Sequence, residues 1–204
     1  MNTLEPATGT VGPRTPRVLR VDPGALEWRD AVRLVDDRVD AWFEPLRGNA
    51  AADTVARVVS GLGDRGLIWA VSSAWRARRP GARRTRAVKA LAVAGVTSSV
   101  VNAGLKGVIG RPRPEPDDLR LGSNVVPLRA PTTTSFPSGH TLAAFCAATV
   151  IAERGDPVGN ALLFACAGLI GASRIHLRAH HASDVLGGVV IGTALGLAGR
   201  RLVQ

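Results

Sequence analysis

Ser173-Arg174-Ile175-His176-Leu177-Arg178-Ala179-His180-His181-Ala182-Ser183-Asp184 is a dense polar knot between two runs rich in Ala, Gly and Leu. Two other polar knots stand at the ends of apolar runs, Lys106 to Pro114 and Pro137-Ser138-Gly139-His140. In the first knot His180 and Asp184 are four apart, so a helix beginning near them places both on one face. A carboxylate there can accept one imidazole N–H, fix the tautomer and leave the other ring nitrogen as nucleophile or base. Arg174 adds a permanently charged planar fork suited to phosphate or carboxylate. Two other readings stay open on spacing alone. His180 and Asp184 could form a simple helix-start cap, or His176, His180 and Asp184, recurring every fourth residue, could be a metal-ligand stripe.

Composition bounds the class of protein. The chain has 204 residues, 46% of them hydrophobic but only 4% aromatic, and a formal charge of +10. A mean hydropathy of +0.12 is high for so basic a chain and suits a membrane protein with basic loops. The pI of 11.4 also fits a soluble nucleic-acid binder. That alternative is disfavoured because the positive charge gathers where apolar runs stop and is not interleaved with aromatic residues. Cys146 and Cys166 fall inside apolar runs and read as small buried hydrophobes.

Along the chain, residues 1–24 are rich in Pro, Thr, Gly and Arg and read as a disordered tail before a single helical domain, 25–204. Between Ala25 and Leu62, residues Trp28, Val32, Leu34, Val35, Val39, Trp42 and Phe43 recur with a helical period among Asp and Arg. They predict one or two amphipathic helices, interfacial or packed on the bundle, with a soluble core helix as the alternative. Gly66 to Trp75 continues the apolar pattern, and an arginine-rich loop, Arg76 to Lys89, then precedes an apolar run from Ala87 to Leu105, which ends at Lys106. A proline-dense loop extends to Pro137, too rich in Pro for a helix to persist. Three more apolar runs follow, 141–152, 158–172 and 185–197.

The expected fold is therefore all-α: an integral membrane bundle of about five spanning helices plus N-terminal amphipathic helices. With the Arg76–Lys89 loop on the cytoplasmic side, parity brings all three polar knots to the outer face and Arg200-Arg201 inside. A soluble bundle with buried helices is the competing architecture.

Taken together, the knots carry a resemblance. Lys106, six residues, then Arg113-Pro114; Pro137-Ser138-Gly139-His140; and Ser173-Arg174, five residues, His180, three residues, Asp184 resemble the three-part signature of the type-2 phosphatidic acid phosphatase superfamily. The match covers about half the chain, from Lys106 onward. The resemblance implies that His180 attacks phosphorus and carries a phosphohistidine, oriented by Asp184. It implies that His140 protonates the leaving group and later activates water. It implies that Lys106, Arg113, Ser138, Gly139 and Arg174 surround the phosphoryl oxygens, with no metal and no cofactor. The implied substrate is a membrane lipid phosphate; polyprenyl-linked and phosphatidic acid-like compounds both fit, and the polyprenyl-linked one is the expectation adopted. With the loop-charge parity above, the expected place is the plasma membrane with the active site on the extracytoplasmic side, and no nucleic-acid partner is expected. Soluble acid phosphatases and vanadate-dependent haloperoxidases share a similar signature, and a non-enzymatic basic protein is the remaining alternative.

Overall fold

The computed structural model describes residues 28–64, 67–78, 110–114 and 134–203, with isolated positions between 88 and 104. The expected tail, the arginine-rich loop beyond Arg78, most of the 87–105 run, Lys106 and the proline-dense stretch up to 133 lie outside the described residues. Among the described residues there are six α-helices and no strand: α1 Trp28–Phe43, α2 Ala50–Asp64, α3 Leu67–Ala77, α4 Gly139–Ile151, α5 Pro157–His176 and α6 Ala182–Val203. A short 3-10 turn, Glu44–Leu46, links α1 to α2.

Local chemistry sets the boundaries. The Asn49 side chain accepts the N–H groups of Ala51 and Ala52 at 3.0 and 3.2 Å and opens α2. Asp156 accepts the Gly159 N–H at 3.0 Å, and Pro157 fills the first position of α5, where a missing N–H costs nothing. At α6, Asp184 in the third position reaches back to the His181 N–H at 2.9 Å, which is half of a capping box.

The three C-terminal helices form the core. Cys146, Ala148, Ile151, Leu163, Ala167 and Ile170 bury against one another between α4 and α5, with Trp69 of α3 closing one side. Helix α4 packs along α6 on a seam of glycines. A Cβ at Gly188 would stand 2.9 Å from the Ser138 carbonyl, one at Gly192 would collide with the Leu142 carbonyl, and one at Gly196 would stand 2.9 Å from the Cys146 carbonyl. This four-residue repeat of small residues lets two helix backbones approach to a distance that side chains forbid.

Helices α5 and α6 are each long and apolar enough to cross a membrane, whereas α4 is a shorter apolar helix. Of the about five expected spans, two helices of spanning length stand among the described residues, and the 87–105 run lies mostly outside them. Both turn apolar side chains outward, Val158, Leu162 and Leu169 from α5 and Leu186, Val190 and Leu197 from α6. The amphipathic helices are arranged the same way. Trp28 and Trp42 are 71% and 70% exposed, while the one buried residue of α1 is Asp36. In α2, Val55 and Val58 face out while Asp53 and Ser60 are buried. A soluble core helix buries its apolar stripe, so this inside-out pattern is the one a lipid or interfacial surround favours.

Gly192→Val should therefore destabilise the protein by about 3 kcal/mol through overpacking, seen as a lower thermal midpoint in detergent. Gly168→Ala, with no atom within 4 Å of the new Cβ, should leave the midpoint unchanged or slightly raised.

Candidate active site

Helix α5 ends at His176 and α6 starts at Ala182, so His180 sits in the tight turn between them. The turn folds back on the Arg174 carbonyl, which accepts the N–H groups of Ala179 and His180 at 3.0 and 3.2 Å. Arg178 takes the left-handed conformation (φ 50°) there, and its guanidinium reaches Glu44 at 2.9 Å and Asp40 at 3.4 Å. Arg47 braces the same turn from below, donating to the carbonyls of Ile175 and His176 at 3.1 and 3.0 Å.

The imidazole of His180 is buried, and its two nitrogens have different partners. Nδ1 lies 2.7 Å from the Ser135 carbonyl, which can only accept, so Nδ1 carries the proton. Nε2 lies 3.2 Å from Arg113 Nη1, which can only donate, so Nε2 holds the lone pair. Arg113 is fixed in turn by the Ala179 carbonyl at 2.7 Å. Burial lowers the His180 pKa below its ordinary value; the neighbouring Asp184 carboxylate opposes this, and the charges of Arg113 and Arg174 add to the lowering. The result is a neutral imidazole with a lone pair beside guanidinium groups, a suitable nucleophile toward a phosphoryl group.

Asp184 does not hold His180 as the spacing suggests. Its Oδ2 lies 3.8 Å from His180 Nδ1, too far for a hydrogen bond, and the Ser135 carbonyl takes the ring proton instead. Asp184 instead pairs through Oδ1 with Arg111 Nη1 at 2.8 Å and receives the His181 backbone N–H through Oδ2. It acts on His180 as a nearby fixed charge. Arg111 also binds Asp36 of α1 at 2.6 Å and the Ser183 hydroxyl at 2.6 Å. Burial weakens the Arg111 charge, but the bonds and fields of Asp36 and Asp184 outweigh this and raise its pKa.

The second polar knot meets the first through the backbone. Ser138 donates its N–H to the Asp184 carbonyl at 3.0 Å, and the Ser135 N–H bonds the Arg111 carbonyl at 2.9 Å. The Ser138 hydroxyl is fully buried, accepts from Thr141 at 2.9 Å and makes no cap bond. Gly139 and His140 are the first two residues of α4, at the same end of the bundle as His180. Arg174 is buried with Nη1 on the Ser60 hydroxyl of α2. His176 pairs through Nε2 with Asp53 Oδ1 at 2.7 Å and sets its ring edge against Phe43, so it faces α2 instead of forming a stripe with His180 and Asp184. Lys106 lies outside the described residues. A cavity of about 470 Å³ lined by Glu153, Arg154, Asn160, Arg200 and Arg201 lies at the opposite end of the three core helices.

The family model described as the PAP2 superfamily matches residues 86–204, more than half of the chain and all three knots. The chain belongs to the PAP2 superfamily. It is similar to a decaprenylphosphoryl-5-phosphoribose phosphatase of Mycolicibacterium smegmatis, 33% identical over 161 residues, covering 78% of this chain and 83% of that one. Among solved structures it resembles a transmembrane PAP2-type phosphatidylglycerolphosphate phosphatase from Bacillus subtilis, with TM-score 0.65, 26% identity and coverage of 85% and 86% of the two chains. It also resembles Aquifex aeolicus LpxE, with TM-score 0.50, 27% identity and coverage of 89% and 98%.

This PAP2 chain is thus a membrane-associated lipid phosphatase, a phosphoric ester hydrolase. Sequence reasoning missed Arg111, Ser135 and Asp36. Arg111 stands in Gly110-Arg111-Pro112-Arg113-Pro114, where two arginines compete for one motif position. Asp36 carries no local signal, since its partners are 75 and 147 residues away.

Because His180 stays neutral below its ordinary pKa, the acidic limb of kcat/KM should fall below pH ~6.5. Arg113→Gln removes a charge that lowers this pKa, so in that variant the limb should move to higher pH, alongside reduced turnover. Titration of kcat/KM from pH 4 to 9 checks the direction.

Proposed function

We propose that the PAP2 chain hydrolyses a membrane lipid phosphate through a phosphohistidine at His180. The observation that carries this reading is the state of His180: its proton on Nδ1 against the Ser135 carbonyl, and its Nε2 lone pair beside Arg113. In the first step Nε2 attacks phosphorus and the P–O bond to the lipid alcohol breaks. His140 donates the proton to that leaving oxygen. In the second step His140 takes a proton from water, the resulting nucleophile attacks phosphorus, and the N–P bond breaks to give inorganic phosphate. Asp184 keeps a negative charge 3.8 Å from Nδ1, which favours the positive ring formed on attack. Arg113, Arg174 and Lys106, with the Ser138 hydroxyl and the Gly139 N–H at the start of α4, stabilise the phosphoryl oxygens as charge develops.

The Mycolicibacterium smegmatis relative, named for a decaprenyl-linked substrate, favours a polyprenyl-linked phosphate over a phosphatidic acid-like one. Location at the plasma membrane with the site on the extracytoplasmic side is supported by charge. The phosphate-facing ends of α4, α5 and α6 are together, and Arg154, Arg200 and Arg201 gather at the other end.

Phosphate release from a panel of lipid phosphates by detergent-purified protein tests the substrate class, with the highest kcat/KM expected on the polyprenyl-linked compound. His180→Ala should abolish release. His140→Ala should lose two to four powers of ten in rate, as expected for removal of positioned acid catalysis. It should also accumulate an acid-labile phosphoenzyme from a substrate whose leaving group needs no proton. Acid-labile label trapped on His180→Ala would refute the nucleophile. Arg174→Lys should cost about 3 kcal/mol in transition-state stabilisation, because a point charge cannot reproduce the fork; near-normal turnover there counts against a phosphate role for Arg174.

A further inference from the structure

We propose that Asp36, on the N-terminal helix α1, is a positioning residue of the phosphatase site, acting through Arg111 and Ser183 on Asp184 and thereby on His180. The inference rests on the reading of His180 as nucleophile. It extends the site into a part of the chain for which the sequence suggested no functional residue.

The case begins with cost. Asp36 is 4% exposed on a helix that turns Trp28, Leu34, Val35 and Trp42 outward. A buried carboxylate is destabilising by several kcal/mol unless its oxygens are satisfied by charge and hydrogen bonds. Here they are. Oδ1 accepts the Ser183 backbone N–H at 2.7 Å, and Oδ2 accepts the Ser183 hydroxyl at 2.8 Å and Arg111 Nη2 at 2.6 Å. All these bonds go to the first turn of α6 or to the arginine that binds it.

Arg111 consequently spans two carboxylates, Asp36 through Nη2 and Asp184 through Nη1. The planar fork cannot rotate without breaking one pair, so Asp36 fixes the orientation in which Arg111 meets Asp184. The second effect is electrostatic. Alone, Arg111 would cancel most of the Asp184 charge as seen from His180. With Asp36 sharing the guanidinium, the cluster of two carboxylates and one arginine stays net negative beside the ring that becomes positive on attack. His180 is otherwise faced by Arg113 and Arg174, both positive, with His181 next in the chain. The Asp36 carboxylate thus offsets part of a positive surround.

A tether that only docks α1 would give the same contacts, so the test must separate the two roles. Asp36→Asn, Arg111→Gln and the double variant are compared for kcat, KM and pH profile, with detergent thermal midpoint as the folding control and exposed Asp37→Asn as the bystander. Asp36 lies behind Arg111, so Asp36→Asn should lower kcat by roughly 100-fold with KM within a factor of about two. Its acidic limb should move to lower pH because His180 sees more positive charge; in Arg111→Gln the limb should move to higher pH, and in the double variant it should return toward wild type. The double variant should lose no more kcat than the worse single.

If the single Asp36→Asn variant fails to fold, Asp36→Glu, which keeps the charge that pairs Arg111 but displaces the carboxylate, carries the test: its kcat should fall with the acidic limb unmoved, and wild-type kcat in it overturns the proposal. Wild-type kcat in folded Asp36→Asn overturns the proposal, as does a kcat loss in the double variant equal to the product of the singles. If His180→Ala retains activity, the nucleophile reading fails instead; His180→Ala inactive with Asp36→Asn unimpaired isolates the failure to Asp36.

Discussion

The structure depends on keeping a carboxylate charged where water cannot reach it. Asp184 is fully buried at the start of α6, and every lone pair it presents needs a donor. Arg111 and His181, through its backbone N–H and its ring Nδ1, supply them. Meeting that demand docks the 110–114 segment onto α6, and Arg111 in turn requires a second carboxylate, which α1 provides. Segments far apart in sequence therefore converge because one charge has to be matched, and the lone pair of His180 is oriented within the cage that results.

The inverted polarity of α1 and α2 follows from the same constraint. Asp36, Asp53 and Ser60 turn inward and meet Arg111, His176 and Arg174, the side chains that the 174–184 turn and the 110–114 segment direct toward them. Val35, Trp42, Val55 and Val58 turn outward. In water such helices would expose their oily side; in a bilayer or at its interface that side is solvated, and the polar interior is stabilised by pairing. Buried pairs of this sort give little net stability but lose several kcal/mol when one partner is removed, so they hold the turn in a single arrangement.

Much of the site was legible because its chemistry is written in short, ordered motifs. Arg113, Ser138, Arg174, His180 and Asp184 come together, and the last two apolar runs are helices with boundaries close to those their flanking polar residues suggest. The partner of the His180 proton was not legible, since a backbone carbonyl at Ser135 leaves no trace in residue identity. Asp36 was hidden for a related reason: among the many Asp and Arg residues of α1, only the tertiary fold picks out one. The amphipathic period from Trp28 to Phe43 gave the helix correctly, but a period states where the oily stripe lies along the axis and not which solvent it meets. Among the described residues α4 is apolar yet shorter than a span, its small residues serving close packing against α6.

The glycine seam between α4 and α6 has a consequence for how the enzyme can vary. It runs from Gly188, beside Ser138, down to Gly196, beside Thr149, and so acts as a vernier along the whole interface. A slip of one residue along a helix axis is ~1.5 Å, enough to take His140, at the head of one rod, out of step with the turn that carries His180 at the head of the other. The relative placement of His140 and His180 is thus set partly at the far end of the bundle, so drift in sequence near Gly196 can shift the two imidazoles against each other without touching either of them.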